Sequence, residues 1–522
     1  MVLLLMVLAV LAGCGGREEE PSAAEEEATG EETVPTLSVF DINAGDHRFD
    51  DRIAQEIIER TGVRIQVIDP TDDPAEKVNL MLAYRDYPDM ILVGLGSIGR
   101  YQSAKALVDL EPFMDSLPNV KAMYGDMLNR LRTEEGELFY LSNWYGKDED
   151  AVAAFHIRYD YMCEVGGKER ADSDVPFTQE EFLELLRRFK EKYPEIGGQE
   201  SIPFTLCIDL NYSMATEGMY GLKTYYEDET GLHYTARDPR YLSMILFLNE
   251  MYREGLLDKE WVVNRHGLFS QKMRGGRVFS TACAYWDLNE DTDVMKKEQG
   301  EESTFYAYKV LGNGIPETET TYSGRNFLGW DAIAITENCR DMDAALRVMD
   351  FLSSEEGQYL MLWGIEGEDW DYVDGVRTPR DELVKAVTED INQAIEDTYV
   401  RRWTWFIKNG IGSDGSPYDM MTKYNPSKEA QISNRRMRYD YWDTSWYANL
   451  EPESGTEEAL LYKNVEAVMD KAFPKMVNAG SEEECRELYE RMIQDMENEG
   501  LERVETVITN NYRKRLKQWG RQ

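Results

Sequence analysis

The chain is poor in the chemistry that short motifs encode. Its 522 residues include only four histidines, His47, His156, His233 and His266, and no two stand at metal-ligand spacing. That argues against a histidine-based metal centre. No His-x-x-x-His, Gly-x-Ser-x-Gly or Walker sequence occurs, so the common metalloprotease, esterase and nucleotide-triphosphate signatures are missing. Beyond Cys14 there are five cysteines, Cys163, Cys207, Cys283, Cys339 and Cys485, odd in number, widely spaced and without a Cys-x-x-Cys pair. Single buried or half-buried thiols are expected rather than a disulfide framework. Basic residues are scarce, 57 Lys and Arg against 99 Asp and Glu, giving a formal charge of −42. Such a balance excludes nucleic acid as a partner, disfavours adhesion to anionic headgroups, and leaves a polyanionic ligand dependent on a local basic patch. No apolar run approaches the ~20 residues that a bilayer-spanning helix needs.

What is present begins at the N-terminus. Met1 to Leu11 is nearly unbroken apolar sequence and leads into Leu11-Ala12-Gly13-Cys14. A short apolar segment closed by small residues reads as a secretory signal. Leu-Ala-Gly-Cys resembles the lipobox of bacterial lipoproteins, which implies lipidation of Cys14 and a chain tethered outside the cytoplasm, with residues 1–14 as signal peptide and lipobox. An uncleaved apolar anchor with an incidental cysteine is the alternative. No Lys or Arg precedes the run, which leaves the true start open. Residues 17–35 hold eight Glu and one Arg among Pro, Ser, Ala, Thr and Gly. A segment of that composition cannot bury enough apolar surface to offset ordering entropy, so 15–35 is expected to be an acidic disordered tether. The rest is too long for one core, and two or three domains are expected.

Strand and helix signals alternate from there. Thr36–Phe40, Val63–Ile68 and Pro88–Val93 read as strands, with Leu107–Leu110 as a fourth, and amphipathic helices fall over 49–60 and from Pro74. That alternation predicts a mostly parallel sheet with ligand at the carboxyl ends of its strands. A second region opens near Ala151. Thr178 with Glu181 three residues on predicts a helix N-terminus, followed by a helix over 241–253 and strands at 278–282 and 329–335. From about Asp381 the chain reads as helical, the last stretch, Glu457–Trp519, interrupted at Pro474 and Gly480. No solenoid repeat is seen.

Several stretches, in order, resemble the extracellular solute-binding protein family 1, the lipoprotein substrate-binding components of bacterial ABC importers, carbohydrate type. They are the lipobox at Cys14, Arg60-Thr61-Gly62-Val63, Ile157-Arg158-Tyr159-Asp160-Tyr161, Pro176-Phe177-Thr178 with Glu181-Phe182, Trp330-Asp331-Ala332-Ile333-Ala334-Ile335-Thr336, Phe351–Gln358 and Trp363-Gly364-Ile365-Glu366-Gly367. The resemblance implies an α/β, type II periplasmic-binding-protein-like clamshell of two lobes with a helical C-terminal part. By it, the first lobe is 36–143 plus 330–377 and the second 144–329 plus 378–522. It further implies a non-enzymatic, monomeric, lipid-anchored protein on the extracytoplasmic face of the cell membrane of a Gram-positive bacterium. There it captures a sugar or oligosaccharide and delivers it to an ABC permease, with no cofactor and no metal.

The residues suit that ligand. A sugar ring offers an apolar C–H face and a rim of hydroxyls, so aromatic planes with polar neighbours make its site. Candidate platforms are Trp144 beside Asn143, Trp286 beside Asp287, Trp330 beside Asp331, Trp403 beside Arg402 and Trp442 beside Asp443; the alternative for each is half-buried packing. The loop after the first strand offers Asn43, Asp46 and Arg48, unless it is a solvated turn. Gly94-Leu95-Gly96-Ser97-Ile98-Gly99 matches G-x-G-x-x-G, but it follows the third strand, and Asp109 comes only ten residues after Gly99, so a dinucleotide site is rejected. Gly96 and Ser97 stand instead as a backbone approach to ligand or a plain strand-to-helix turn. Asp369, Asp371 and Asp374 before Gly375 are off-register for a calcium loop, and Asp414 and Asp419 read as structural. A peptide or other small solute remains an alternative ligand. A secreted glycoside hydrolase is the rival from another class, since paired carboxylates beside cleft tryptophans also suit that chemistry.

Overall fold

The computed structural model describes residues 34–70, 73–147, 150–210, 212–424, 427–438, 440–453 and 455–520. The signal segment, Cys14 and nearly all of the tether lie outside the described residues. Nine strands build two main sheets: β1 (Thr36–Asp41), β2 (Arg64–Ile68), β3 (Met90–Gly94), β4 (Leu141–Asn143), β5 (Ala154–Arg158), β6 (Ile202–Thr205), β7 (Val278–Cys283), β8 (Phe305–Tyr308) and β9 (Asp331–Ile335). The first sheet has the order β2-β1-β3-β9-β4 and the second β8-β5-β7-β6. In the first, β1 pairs parallel with β2 and β3, while β9 runs antiparallel to β3 and β4. In the second, β5 is antiparallel to β7 and β8, and β7 is parallel to β6.

Each sheet therefore has one reversed strand, and the reason is connectivity. β5 and β9 are the strands that begin just after the chain has crossed from the other lobe. They start at the cleft and run away from it, whereas the other strands run toward it. The sheets are mixed on that account, not uniformly parallel.

Alternation of side chains gives each sheet two cores. In the first lobe Leu37, Val39, Met90, Leu92, Ile333 and Ile335 face one core, and Phe40, Ile91, Val93, Ala332 and Ala334 the other. In the second, Phe155, Ile157, Phe204, Phe279 and Tyr306 face the larger core, and Ile202, Val278, Cys283 and Phe305 the smaller. Helices cover all four faces and are stopped by local signals. Asp51 caps the helix Arg52–Thr61 through the amides of Ile53 and Ala54, and Gly62 ends it in the left-handed region at φ 66°. The capping box of Thr178 and Glu181 forms at the start of Gln179–Lys192. All five described cysteines are free.

Three expectations fail for identifiable reasons. Leu107–Leu110 makes one bridge, Leu107 to Thr336, and then turns into the 3₁₀ segment Glu111–Ser116, because β9 and β4 occupy that side of the sheet. Pro474 sits inside the helix Glu457–Val477, one turn from its end, and does not break it. The third failure moves a lobe boundary. Leu383, Val387, Val400, Trp403, Trp405, Phe406, Ile407, Tyr418 and Met420 belong to the first lobe's core, so residues 378–424 complete the first lobe and not the second. Much of 399–420 is irregular because buried side chains take its backbone groups: Asn143 accepts from the Ile407 amide at 2.7 Å and donates to the Thr404 carbonyl at 2.7 Å, and Gln358 accepts from the Lys408 amide at 2.8 Å. The second lobe closes with residues from 430 onward.

The acidic stretch 366–375 runs into a hairpin, Trp370–Pro379, and its Asp369 and Asp371 are paired with arginines. Asp369 meets Arg52 at 2.6 Å and Asp371 meets Arg380 at 3.1 Å; Asp414 meets Arg377 at 3.1 Å and Asp419 meets Arg401 at 2.9 Å. Among the described residues no group of three or more His, Cys, Asp or Glu is placed to hold a metal ion.

Trp403 ties the late segment to the first. It is 0% exposed, packs on Phe49 at 4.9 Å, and donates its indole N–H to Asp51, the cap of Arg52–Thr61. Trp403→Ala is expected to lower stability by about 3–5 kcal/mol, as large-to-small core changes do, read as a lower urea midpoint.

Candidate functional site

Where β9 enters the first sheet, the chain has little freedom. Gly329 has φ 83°, and a Cβ there would run into the Asn143 carbonyl oxygen. Only glycine fits, and its turn delivers Trp330 to the lip of the sheet. The Trp330 carbonyl accepts from the Leu95 amide at 2.9 Å, and Asp331 then registers against Gly94 on one side and Asn143 on the other. Trp144, just past Asn143, lies beside Trp330: the indoles stack at 5.3 Å between centroids and 14° between planes. Trp144 itself adopts φ 60°, a costly conformation for a bulky residue, about 1–3 kcal/mol. It is held there by the doubly bonded Asn143 before it and by Asn409, whose amide donates to the Trp144 carbonyl at 3.0 Å.

The stacked pair forms one wall of a cavity of about 700 Å³ between the lobes. Leu95, Gly96, Gln102 and Tyr140 extend the first-lobe wall. Met214, Trp286 and Asn449 face it from the second lobe, and Arg325 to Gly329, less Phe327, line the crossing between them. Trp330 is 49% exposed and Trp286 38%, high values for indoles that are not surface packing. The Arg325 guanidinium lies 5.7 Å from the Trp286 ring and that of Arg401 lies 5.8 Å from Trp144, each a cation–π contact. The volume falls within the range of small-molecule sites.

Polar groups collect at the carboxyl end of β1, next to Trp330. Asp41 accepts from the Trp405 indole at 2.7 Å and from the Asn43 amide at 2.8 Å, and Asn43 donates to Asp331 at 3.2 Å. Asp331 is 6% exposed. Burial pushes its carboxyl up to about 6, helped by the nearby Asp41 charge and opposed by Asn43. Burial also raises Asp41, against its hydrogen bonds to Trp405 and Asn43 and the Arg402 charge.

Gly96, Trp144, Trp286 and Trp330 thus share one cavity. Ser97 is half-buried in the first turn of the helix Leu95–Ser103, which follows β3 without a loop, and its hydroxyl takes Arg100 at 3.3 Å. Asn43 is tied to Asp331, but Asp46 and Arg48 are exposed on the 43–48 turn and do not line the cavity. Trp403 is core. Trp442 lines a separate second-lobe cavity and donates its indole N–H to the Thr321 carbonyl at 3.2 Å. The polar companions Asp287 and Asp443 have structural work: Asp287 accepts from the Ala284 amide, and Asp443 binds Arg130 at 2.6 Å. The sequence reading missed Tyr140, Met214, Arg325, Asn409 and Asn449. Met214 lies in the short helix Tyr212–Met219 and Arg325 ends the strand Ser323–Arg325, while Tyr140, Asn409 and Asn449 lie outside the regular elements, and no local pattern marked any of the five for the cleft.

No family model matches the chain. Lipoprotein LipO of Bacillus subtilis is 23% identical over 387 residues, covering 71% of this chain and 73% of its own. The fructooligosaccharide ABC transporter substrate-binding protein FusA of Streptococcus pneumoniae is 23% identical over 397 residues, 70% of this chain and 71% of its own. The solved structure of FusA with kestose aligns with a TM-score of 0.61 at 15% identity, over 92% of this chain and 99% of that one. An extracellular solute-binding protein from Bifidobacterium longum subsp. infantis gives a TM-score of 0.66 at 16% identity, over 92% and 98%. This is the fold of the ABC-transporter solute-binding proteins. The two most exposed tryptophans, Trp330 and Trp286, both line the cavity between the two lobes.

The raised carboxyl of Asp331 fixes a sign. With a folded pKa of about 6 above its ordinary 3.8, the group favours folding most at low pH, and that contribution is lost as pH rises from about 4 through about 6. Asp331→Asn should therefore be more stable than the parent at pH 7, by on the order of 2–3 kcal/mol, with the gap closing below pH 4. Urea unfolding from pH 4 to 8 measures this.

Proposed function

We propose that this chain is the extracytoplasmic substrate-binding component of an ABC importer, a lipoprotein anchored through Cys14 that closes its lobes on a sugar or oligosaccharide and passes it to a permease unchanged. The observation that carries the proposal is the stacked Trp144–Trp330 pair facing Trp286 across the cleft, with Asn409 and Arg325 lining the same cavity and the buried Asp331–Asn43 pair behind Trp330. Indole faces cover the apolar side of a pyranose or furanose, and the Asn409 amide and Arg325 guanidinium meet its hydroxyls. Trp144 and Trp330 ride on the first lobe and Trp286 on the second, so a ring held between them makes more contacts when the lobes close. Ligand then shifts the population toward the closed form.

The relatives support this reading. FusA is named for fructooligosaccharide and was solved with kestose, and other structures of the same fold with TM-scores above 0.6 are titled as an alginate-binding protein and an HMO-binding, ABC-transporter-associated solute-binding protein. LipO is named as a lipoprotein, in keeping with a tethered chain. Binding without turnover fits the lining of the cavity, whose described residues include no carboxylate, and Asp41, the carboxylate beside Asp331, is committed to Trp405 and Asn43.

Calorimetry of the mature chain against a panel of neutral and acidic oligosaccharides tests the proposal. One glycan class is expected to bind, to be recovered intact, and to lose about tenfold or more in affinity with Trp330→Ala, whose exposed position leaves the melting temperature near that of the parent. Silence across the panel, capture of peptides instead, or cleaved glycan in the recovered fraction would overturn it.

A further inference from the structure

The short helix Tyr212–Met219 separates two cavities. Met214 faces the cleft, while Tyr212, Ser213 and Glu217 line a second cavity of about 560 Å³ inside the second lobe. Its other walls are Tyr241 from the helix Pro239–Arg253, Trp261 from a 3₁₀ turn, and Asp470 and Phe473 from the helix Glu457–Val477. Four aromatic rings therefore meet one space. Trp261 contacts Tyr212 edge-to-face at 6.4 Å and Phe473 at 5.9 Å.

The polar groups in this space lack counterparts. Tyr241 is 3% exposed, lines the cavity, and its hydroxyl has no hydrogen-bond partner among the described residues. The Glu217 carboxylate likewise has neither a hydrogen bond nor an ion pair among the described residues. No Lys or Arg lines the cavity. Burial alone pushes the Glu217 carboxyl up to about 7, with no cation to oppose it. Asp470 adds a second carboxylate, and both acids act on the Tyr241 hydroxyl.

Aromatic faces with an uncompensated carboxylate attract positive charge of low hydration. The ring quadrupole presents its negative face, and a carboxylate in a low-dielectric recess gains most from a partner that sheds water easily. A hydrated metal ion would need more oxygen ligands than these walls give. A neutral sugar would leave Glu217 without a charge partner. We propose that this cavity is a binding site for a small organic cation, an alkylammonium or quaternary ammonium group held by the rings of Tyr212, Tyr241, Trp261 and Phe473 and by the Glu217 carboxylate, with Asp470 at its exposed rim. The site is distinct from the sugar cleft and does not depend on what the cleft binds.

Choline chloride, its uncharged isostere 3,3-dimethylbutan-1-ol, and Nα-acetyl-lysine methylamide are the probes, titrated into the mature chain by calorimetry at constant ionic strength. Choline is expected to bind at one site at least tenfold tighter than the alcohol. Glu217→Gln should weaken choline about tenfold or more while melting no lower than the parent, since it removes a buried acid without a partner. Should that variant melt lower, Asp470→Asn, at an exposed position, is expected to weaken choline about threefold with an unchanged melt. Equal binding of choline and the alcohol, no binding of either, or full affinity in a variant that folds as the parent does would overturn the proposal. So would capture of the lysine amide in preference to choline, which would mark the cavity as a dock for a basic side chain of a protein.

Discussion

The insertion of β9 between β3 and β4 governs this molecule. The strand arrives from the second lobe and must pair on both sides at once, with Asp331 opposite Gly94 and Asn143. Two strand ends are thereby brought together at the cleft, and each carries a tryptophan or its neighbour: Trp330 before β9 and Trp144 after β4. Their stacking follows from the register. A slip of one residue would turn Ala332 and Ala334 into the face now filled by Ile333 and Ile335, which the two cores would not accept.

The cleft also shows how a binding surface is kept dry on one side and open on the other. Trp144 is held in a conformation it would not choose by the buried Asn143 amide, which bonds Thr404 and Ile407, and by the half-buried Asn409, which bonds the Trp144 carbonyl. Rigidity beneath the rings lets their outer faces stay bare without collapsing onto the protein, and lost rotamer freedom on binding is correspondingly small.

Much of this was legible in the sequence. The period-two strands, the Thr178 capping box, the helix ending at Gly62 and the ordered resemblance from Arg60 to Gly367 gave the architecture, and Trp144, Trp286 and Trp330 were named for the cavity that they line. What local pattern did not reveal was long-range. Trp403 and Trp330 look alike in sequence, each a tryptophan beside a charged residue. One is wedged under Phe49 with its N–H on Asp51, and the other stands free, because a partner more than 350 residues away decides the first case. The placement of 378–424 failed for the same cause. Its irregular backbone is satisfied by Asn143 and Gln358, amides that carry no local mark of that task. Asp287 and Asp443 were noted as polar neighbours of Trp286 and Trp442, but turn and crossing contacts have first claim on them.

The interleaving of the lobes bears on how the chain reaches this state. The first lobe's core draws on residues from Leu37 to Met420, and the second's from Ala151 to Tyr512. The first core is not whole until about four-fifths of the polypeptide has been made, and the second not until nearly all of it has, so nascent chain is left with unfinished sheets and uncovered apolar faces for most of its synthesis. The same crossings that place a cavity between the lobes also delay the completion of both cores.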